Sequence, residues 1–198
     1  MVAERGVAER GVAERGAAER GAAGGWSRAQ RRLHWAGAWL VGAGFVLGFV
    51  MVAVPLRDLL SKFLLFQLHK TIGLIVLALV LGRLWLRARR GRPAAEGLSA
   101  REASVAAVGQ VVLYALLLAV PVLGYLAACT APSGIPTLFL FVIPVPSVLA
   151  PDPGLYAVLR VVHRAAAIAL VVLAVGHALA ALAHHWRGRP VLRRMWRG

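Results

Sequence analysis

Four long apolar runs, separated by short polar stretches, dominate the chain. The first extends from about residue 33 to 54 and the third from about 105 to 128, neither with a formal charge. The second, about 63 to 86, carries Lys70 near its start and Arg83 near its end, and the fourth, about 157 to 184, carries Arg160 and Arg164 near its start. A helix needs roughly 20 apolar residues to cross a bilayer. Charges at span ends reach the headgroups by snorkelling, so all four runs qualify. They are too long for barrel strands and lack alternation. The pattern predicts an all-α integral membrane four-helix bundle. Between the third and fourth runs, residues 131–154 hold Pro132, Pro136, Pro144, Pro146, Pro151 and Pro153 around the apolar core Thr137-Leu-Phe-Leu-Phe-Val-Ile143. This stretch is too short to span. It predicts an interfacial segment over the outer face, capping the bundle or covering a site there.

Composition agrees with the runs and adds an orientation. With 60% hydrophobic residues and a net charge of +15 in 198 residues, a soluble globular protein is excluded. The basic charge first suggests nucleic acid, but it is strung between apolar runs rather than gathered on a soluble scaffold, so no nucleic-acid partner is expected. Residues 2–21 are four near-identical pentads, Val/Ala-Ala-Glu-Arg-Gly, with net charge zero. A glycine every fifth residue and no apolar stripe predict a low-complexity disordered tail over 1–25, leaving 26–198 as the membrane domain. With four spans, the two termini and the loop between spans two and three share one side, which collects eighteen of the 23 Lys/Arg. The other side holds five, namely Arg57, Lys62, Lys70, Arg160 and Arg164. Setting the repeat aside leaves fourteen against five, so both termini are expected in the cytoplasm of a bacterium, with the domain in its inner membrane.

All six histidines lie in or at the ends of spans. Ionisable side chains there are costly, and function is the default explanation. His34 enters span one at a depth similar to that of His177 near the end of span four. His69 and His163 match in depth on the opposite side. The fourteen residues from His163 to His177 correspond to roughly 21 Å of helix and about 40° short of four turns, so both face the same way. Two imidazoles meeting across a bundle, twice, suit bis-histidine ligation of two hemes. Zinc or copper recruits three or four close ligands, and the single cysteine, Cys129, supports neither a disulfide nor an iron–sulfur cluster. Small residues such as Gly44, Gly48, Gly73 and Gly124 leave room for a macrocycle, and ordinary close helix packing also explains them. Lys70 and Arg164 are candidates to pair with the propionates of the outer heme, and Arg31 and Arg32 with those of the inner one. Plain interfacial anchoring accounts for them equally well.

These residues fall into local motifs: Arg32-Leu-His-Trp35; His69-Lys-Thr-Ile-Gly73 followed by Leu81-Gly-Arg-Leu-Trp-Leu-Arg87; Leu113-Tyr114 with Pro121-Val-Leu-Gly-Tyr125; and His163, Gly176-His177 and Ala183-His-His-Trp186. Over residues 27–198 the chain resembles the bacterial diheme cytochrome b561 family, in particular its small four-helix branch associated with superoxide oxidase activity. The resemblance implies iron ligation by His34 and His177 for a cytoplasmic-side heme b, and by His69 and His163 for a periplasmic-side heme b. Where that branch has a histidine near its quinone region, this chain has Gln110, which hydrogen-bonds but does not exchange a proton as imidazole does. His184, seven residues beyond His177, is a further candidate for the quinone region, with interfacial anchoring as its plainer role.

The resulting expectation is an electron carrier of the respiratory chain, working between the quinone pool and the periplasmic side. In its catalytic version it oxidises superoxide and reduces ubiquinone. The alternatives are a membrane-anchor cytochrome b subunit for a periplasmic dehydrogenase or hydrogenase, and a non-heme four-helix transporter or scaffold whose histidines relay protons.

Overall fold

Serine and proline signals set the starts of three of the four long helices. The computed structural model describes residues 26–91, 97–189 and 191–196; the expected tail over 1–25 lies outside the described residues. Helix α1 spans Arg28–Ala53 and opens with a capping box, in which Ser27 Oγ accepts from Gln30 N–H (3.3 Å) and Gln30 Oε1 from Ser27 N–H (3.1 Å). Helix α2 covers Leu59–Arg90 and ends in Arg87, Arg89 and Arg90, which suit the negative end of its dipole. Helix α3, Ala100–Thr130, repeats the capping box with Ser99 and Glu102. Helix α4, Pro153–Trp186, starts with proline in its first turn and with Asp152 accepting from Gly154 and Leu155 N–H. A short α5, Val191–Trp196, closes the chain.

These four long helices are each long and apolar enough to cross a membrane, as the hydrophobic runs predict. Their packing inverts a soluble core. Large apolar side chains such as Val46, Leu81, Val111 and Val172 are exposed, whereas Gln67, Thr71 and Thr130 are among the most buried residues. In hydrocarbon, apolar surface gains nothing by hiding, but polar groups must find partners. The bundle has two distinguishable ends. The basic end gathers the start of α1, the end of α2, the start of α3 and the end of α4, tied by Gln30 Nε2 donating to the Gly91 carbonyl (3.5 Å) and by an Arg189–Glu102 ion pair (2.8 Å).

The opposite end carries the proline-rich connection, and its shape differs from the expected cover. Part of it does cap the bundle: Tyr125 donates its hydroxyl to the Pro146 carbonyl, and Asp152 N–H bonds the Thr130 carbonyl (3.0 Å). The rest is an antiparallel hairpin, β1 (Thr137–Phe139) and β2 (Ile143–Val145), paired Thr137 to Val145, Leu138 to Pro144 and Phe139 to Ile143. It runs down the flank of α2. Gln67 Nε2 donates to the Pro136 carbonyl (2.9 Å), and its Oε1 accepts from Leu138 N–H (3.0 Å). One turn on, Thr71 Oγ1 donates to the Leu138 carbonyl (3.5 Å) and accepts from Leu140 N–H (3.1 Å). Two side chains of a helix thus act as the missing neighbour of β1. Thr71 lies twelve residues along α2 from Leu59, roughly 18 Å from that end, so the hairpin reaches the level of His69. The descent follows from backbone satisfaction, because an unpaired strand edge is not tolerated at that depth.

The turn is unusual in composition. Leu140 (φ 51°) and Phe141 (φ 66°) both adopt the left-handed region that tight hairpins normally give to Asn-Gly, at a cost of order 1–3 kcal/mol each. The Thr71 bond and the turn bonds Phe141 N–H to Leu138 O and Val142 N–H to Phe139 O hold them there. Bulky apolar tips in place of Asn-Gly suit a loop that meets lipid instead of water.

Candidate functional site

The histidines meet in pairs. His34 on α1 faces His177 on α4 with ring centroids 6.4 Å apart and planes at 67°. His69 on α2 faces His163 on α4 at 6.2 Å and 89°. Helix α4 contributes to both pairs from one face, as its fourteen-residue spacing predicts. His34, His69 and His163 are half-buried, and His177 is exposed. Among the described residues no three His, Cys, Asp or Glu side chains cluster as a zinc or copper site would require.

Glycine makes the hairpin-end pair possible. A Cβ at Gly124 would stand 2.9 Å from His163 Cε1, and one at Gly48 would stand 3.3 Å from His69 Cε1. Each imidazole therefore rests in a notch on a neighbouring helix. The carbonyl one turn before each notch faces the same ring. His163 Nδ1 lies 2.9 Å from the Val120 carbonyl and, as its only donor role there, carries the proton, which leaves Nε2 with the free lone pair. Gly44 presents its carbonyl beside His69, whose buried Nδ1 has no hydrogen-bond partner.

Around this pair lies a cavity of about 640 Å³, walled mostly by apolar side chains from all four long helices and the hairpin segment. Lys70 lines it, as expected for a residue beside His69; Arg164 is exposed and does not, whereas Arg160 and Tyr156 do. Helical geometry explains the exchange. Arg160 precedes His163 by three residues and shares its face, while Arg164 follows by one and turns about 100° away. Arg160 also stacks over Tyr156 (5.9 Å).

At the basic end the pair has different neighbours. Arg83 Nη2 lies 3.2 Å from His34 Nδ1, and its guanidinium sits 5.3 Å from the Tyr114 ring. Arg87 flanks the same ring at 5.6 Å and donates to Gln110 Oε1 (3.2 Å). Trp35 packs edge-on to His34 (5.4 Å), donates Nε1–H to the Met195 carbonyl (3.2 Å) and meets Trp196 (5.1 Å), which docks α5 beneath the pair. Of the two arginines singled out in the sequence, Arg32 is exposed and Arg31 is half-buried with an unpaired buried Nη1. In the sequence Arg83 reads as a span-end anchor, and only its position opposite His34 distinguishes it. His184 accepts from Arg189 Nη1 (3.1 Å), within the Glu102 clamp. No hydrogen bond among the described residues joins it to Gln110, so the two quinone-region candidates stand in separate networks.

A bundle of membrane-length helices that brings histidines together in facing pairs, with no cluster of three His, Cys, Asp or Glu among the described residues, has the architecture of a membrane b-type cytochrome. The comparison with known families agrees: prokaryotic cytochrome b561 matches residues 25–198, and the chain belongs to that family. Among curated proteins, none matches the chain in sequence. Membership brings heme b as the cofactor, electron transfer as the activity and a bacterial membrane as the location.

The side chains present fit that cofactor. Two imidazoles sharing one metal ion through nitrogens at about 2 Å place their centroids about 6 Å apart, which both pairs satisfy. At the hairpin-end pair the cavity walls are mostly apolar, and Lys70 and Arg160 add positive charge to them.

Proposed function

We propose that the chain binds two hemes b, one held by His34 and His177 and the other by His69 and His163, and that it carries electrons across the bacterial inner membrane between the periplasmic side and the quinone pool. The carrying observation is the pair of facing imidazoles repeated at two levels of one bundle. The excess of Lys/Arg at the basic end supports placing that end, and both termini, in the cytoplasm. Bound heme supplies a one-electron ferric/ferrous couple at each level.

The residues of the chain divide the remaining work. Val120 fixes the tautomer of His163, and Gly48 and Gly124 let the two outer imidazoles approach. Lys70 and Arg160 give the outer cavity a positive wall, which suits both heme carboxylates and a small anionic electron donor. Superoxide is the donor we propose. Two superoxide anions each lose one electron and leave as dioxygen, while one ubiquinone takes up the two electrons and two cytoplasmic protons to become ubiquinol. Gln110, held by Arg87, offers its amide to a quinone carbonyl, while His184 stands apart from it in the Arg189–Glu102 network as a second candidate contact.

The purified protein tests this reading in two stages. Reduced spectra should show b-type bands with two hemes per chain; their absence would remove the reading altogether. Superoxide pulses should then reduce ubiquinone. Failure of that step, together with co-purification of a periplasmic dehydrogenase or hydrogenase, would instead make the chain a membrane-anchor subunit.

A further inference from the structure

We infer that Arg83 is the charge partner of a carboxylate of the heme held at His34 and His177. This rests on the reading of that pair as heme ligands. A guanidinium donates hydrogen bonds and accepts none, so in the Arg83–His34 contact Nδ1 must supply its lone pair. A neutral imidazole has one such lone pair in its ring plane, and iron needs it. Ligation of iron and the Arg83 bond therefore exclude each other, and a heme-loaded His34 releases Arg83.

The released guanidinium stays where it is. Arg83 stacks on Tyr114, which Arg87 flanks as well, so its position is braced independently of His34. Among the described residues no protein anion stands ready to receive it. At this end the acid among the described residues is Glu102, and that carboxylate is taken by Arg189 and its own capping box. A half-buried cation without a counter-ion at the edge of a bilayer is costly. The anionic groups that heme brings to this level are its carboxylates, and a guanidinium binds a carboxylate through paired hydrogen bonds. Arg31 and Arg32, singled out in the sequence for this task, do not touch either histidine through any hydrogen bond among the described residues.

The test uses the full-length heme-loaded protein, with Arg83→Gln and Arg83→Lys beside the parent. A redox titration should resolve two transitions, and the one missing from His177→Ala belongs to the basic-end pair. Arg83→Gln should shift that transition alone to lower potential, because an uncompensated carboxylate favours ferric iron, and Arg83→Lys should restore most of the shift. In protein reconstituted with the dimethyl ester of heme, which lacks both carboxylates, Arg83→Gln should cause no further shift. A transition that does not move, or a shift that persists unchanged with the diester, overturns the inference. Should Arg83→Gln lose this heme, retention by Arg83→Lys supports the inference and loss from both overturns it. A parent protein without two hemes, or His177→Ala retaining both, would instead overturn the underlying reading.

Discussion

His163 lies so close to Gly124 that a methyl group on that glycine would stand 2.9 Å from the imidazole Cε1. Alanine normally stabilises a helix relative to glycine by roughly 0.5–1 kcal/mol. Gly124→Ala should do the opposite for the cofactor. It should push His163 off the Val120 carbonyl and reduce heme content from two per chain toward one, while the partner substitution Gly48→Ala, at 3.3 Å, should keep both hemes with an altered outer spectrum. Heme quantification of the two variants checks this, and equal loss from both would contradict the notch geometry.

Replacing one ligand at each level should separate the levels. His163→Ala is expected to lose the heme shared with His69 and retain the other, and His177→Ala the reverse. Loss of both hemes from either variant would mean that the pairs are not independent sites.

The cavity wall offers a contrast between two arginines four residues apart. Arg160→Gln should weaken retention of the outer heme or lower its potential, and Arg164→Gln should leave both unchanged, because Arg160 lines the cavity and Arg164 does not. A redox titration of the two variants decides between them.

Gln67→Leu should destabilise the protein more than any exposed substitution on α2. It would leave the part-buried Pro136 carbonyl and Leu138 N–H without these partners, and a lost hydrogen bond of this kind costs about 0.5–1.5 kcal/mol. Thermal unfolding in detergent should show a marked drop, with Thr71→Val behaving similarly and more mildly. Arg189→Gln, by contrast, breaks a partly exposed ion pair and should lower the unfolding temperature far less.

Much of the bundle was legible in the sequence because membrane helices announce themselves through length and apolarity alone. The histidine pairs were legible too, since a fourteen-residue spacing on one helix fixes both depth and facing. The exchange of Arg164 for Arg160 shows where such reading stops: adjacency in sequence suggested the first, and helical phase selected the second. Arg83 could not be found by spacing, because its meaning depends on a residue 49 positions away. The hairpin was hidden for a related reason. Its seven-residue apolar core matches an interfacial segment, and nothing local reveals that its backbone partners are two side chains on an earlier helix.

Those two side chains give the hairpin a place in time as well as in space. Gln67 and Thr71 enter the bilayer with α2, and Leu138 and Leu140 are synthesised about 70 residues later. At roughly 5–20 residues per second, two polar groups wait several seconds in or near lipid for the backbone that will satisfy them. During that interval they are open to any other chain that offers a free strand edge. The finished protein closes this opening with its own turn, through the Leu138 and Leu140 backbone.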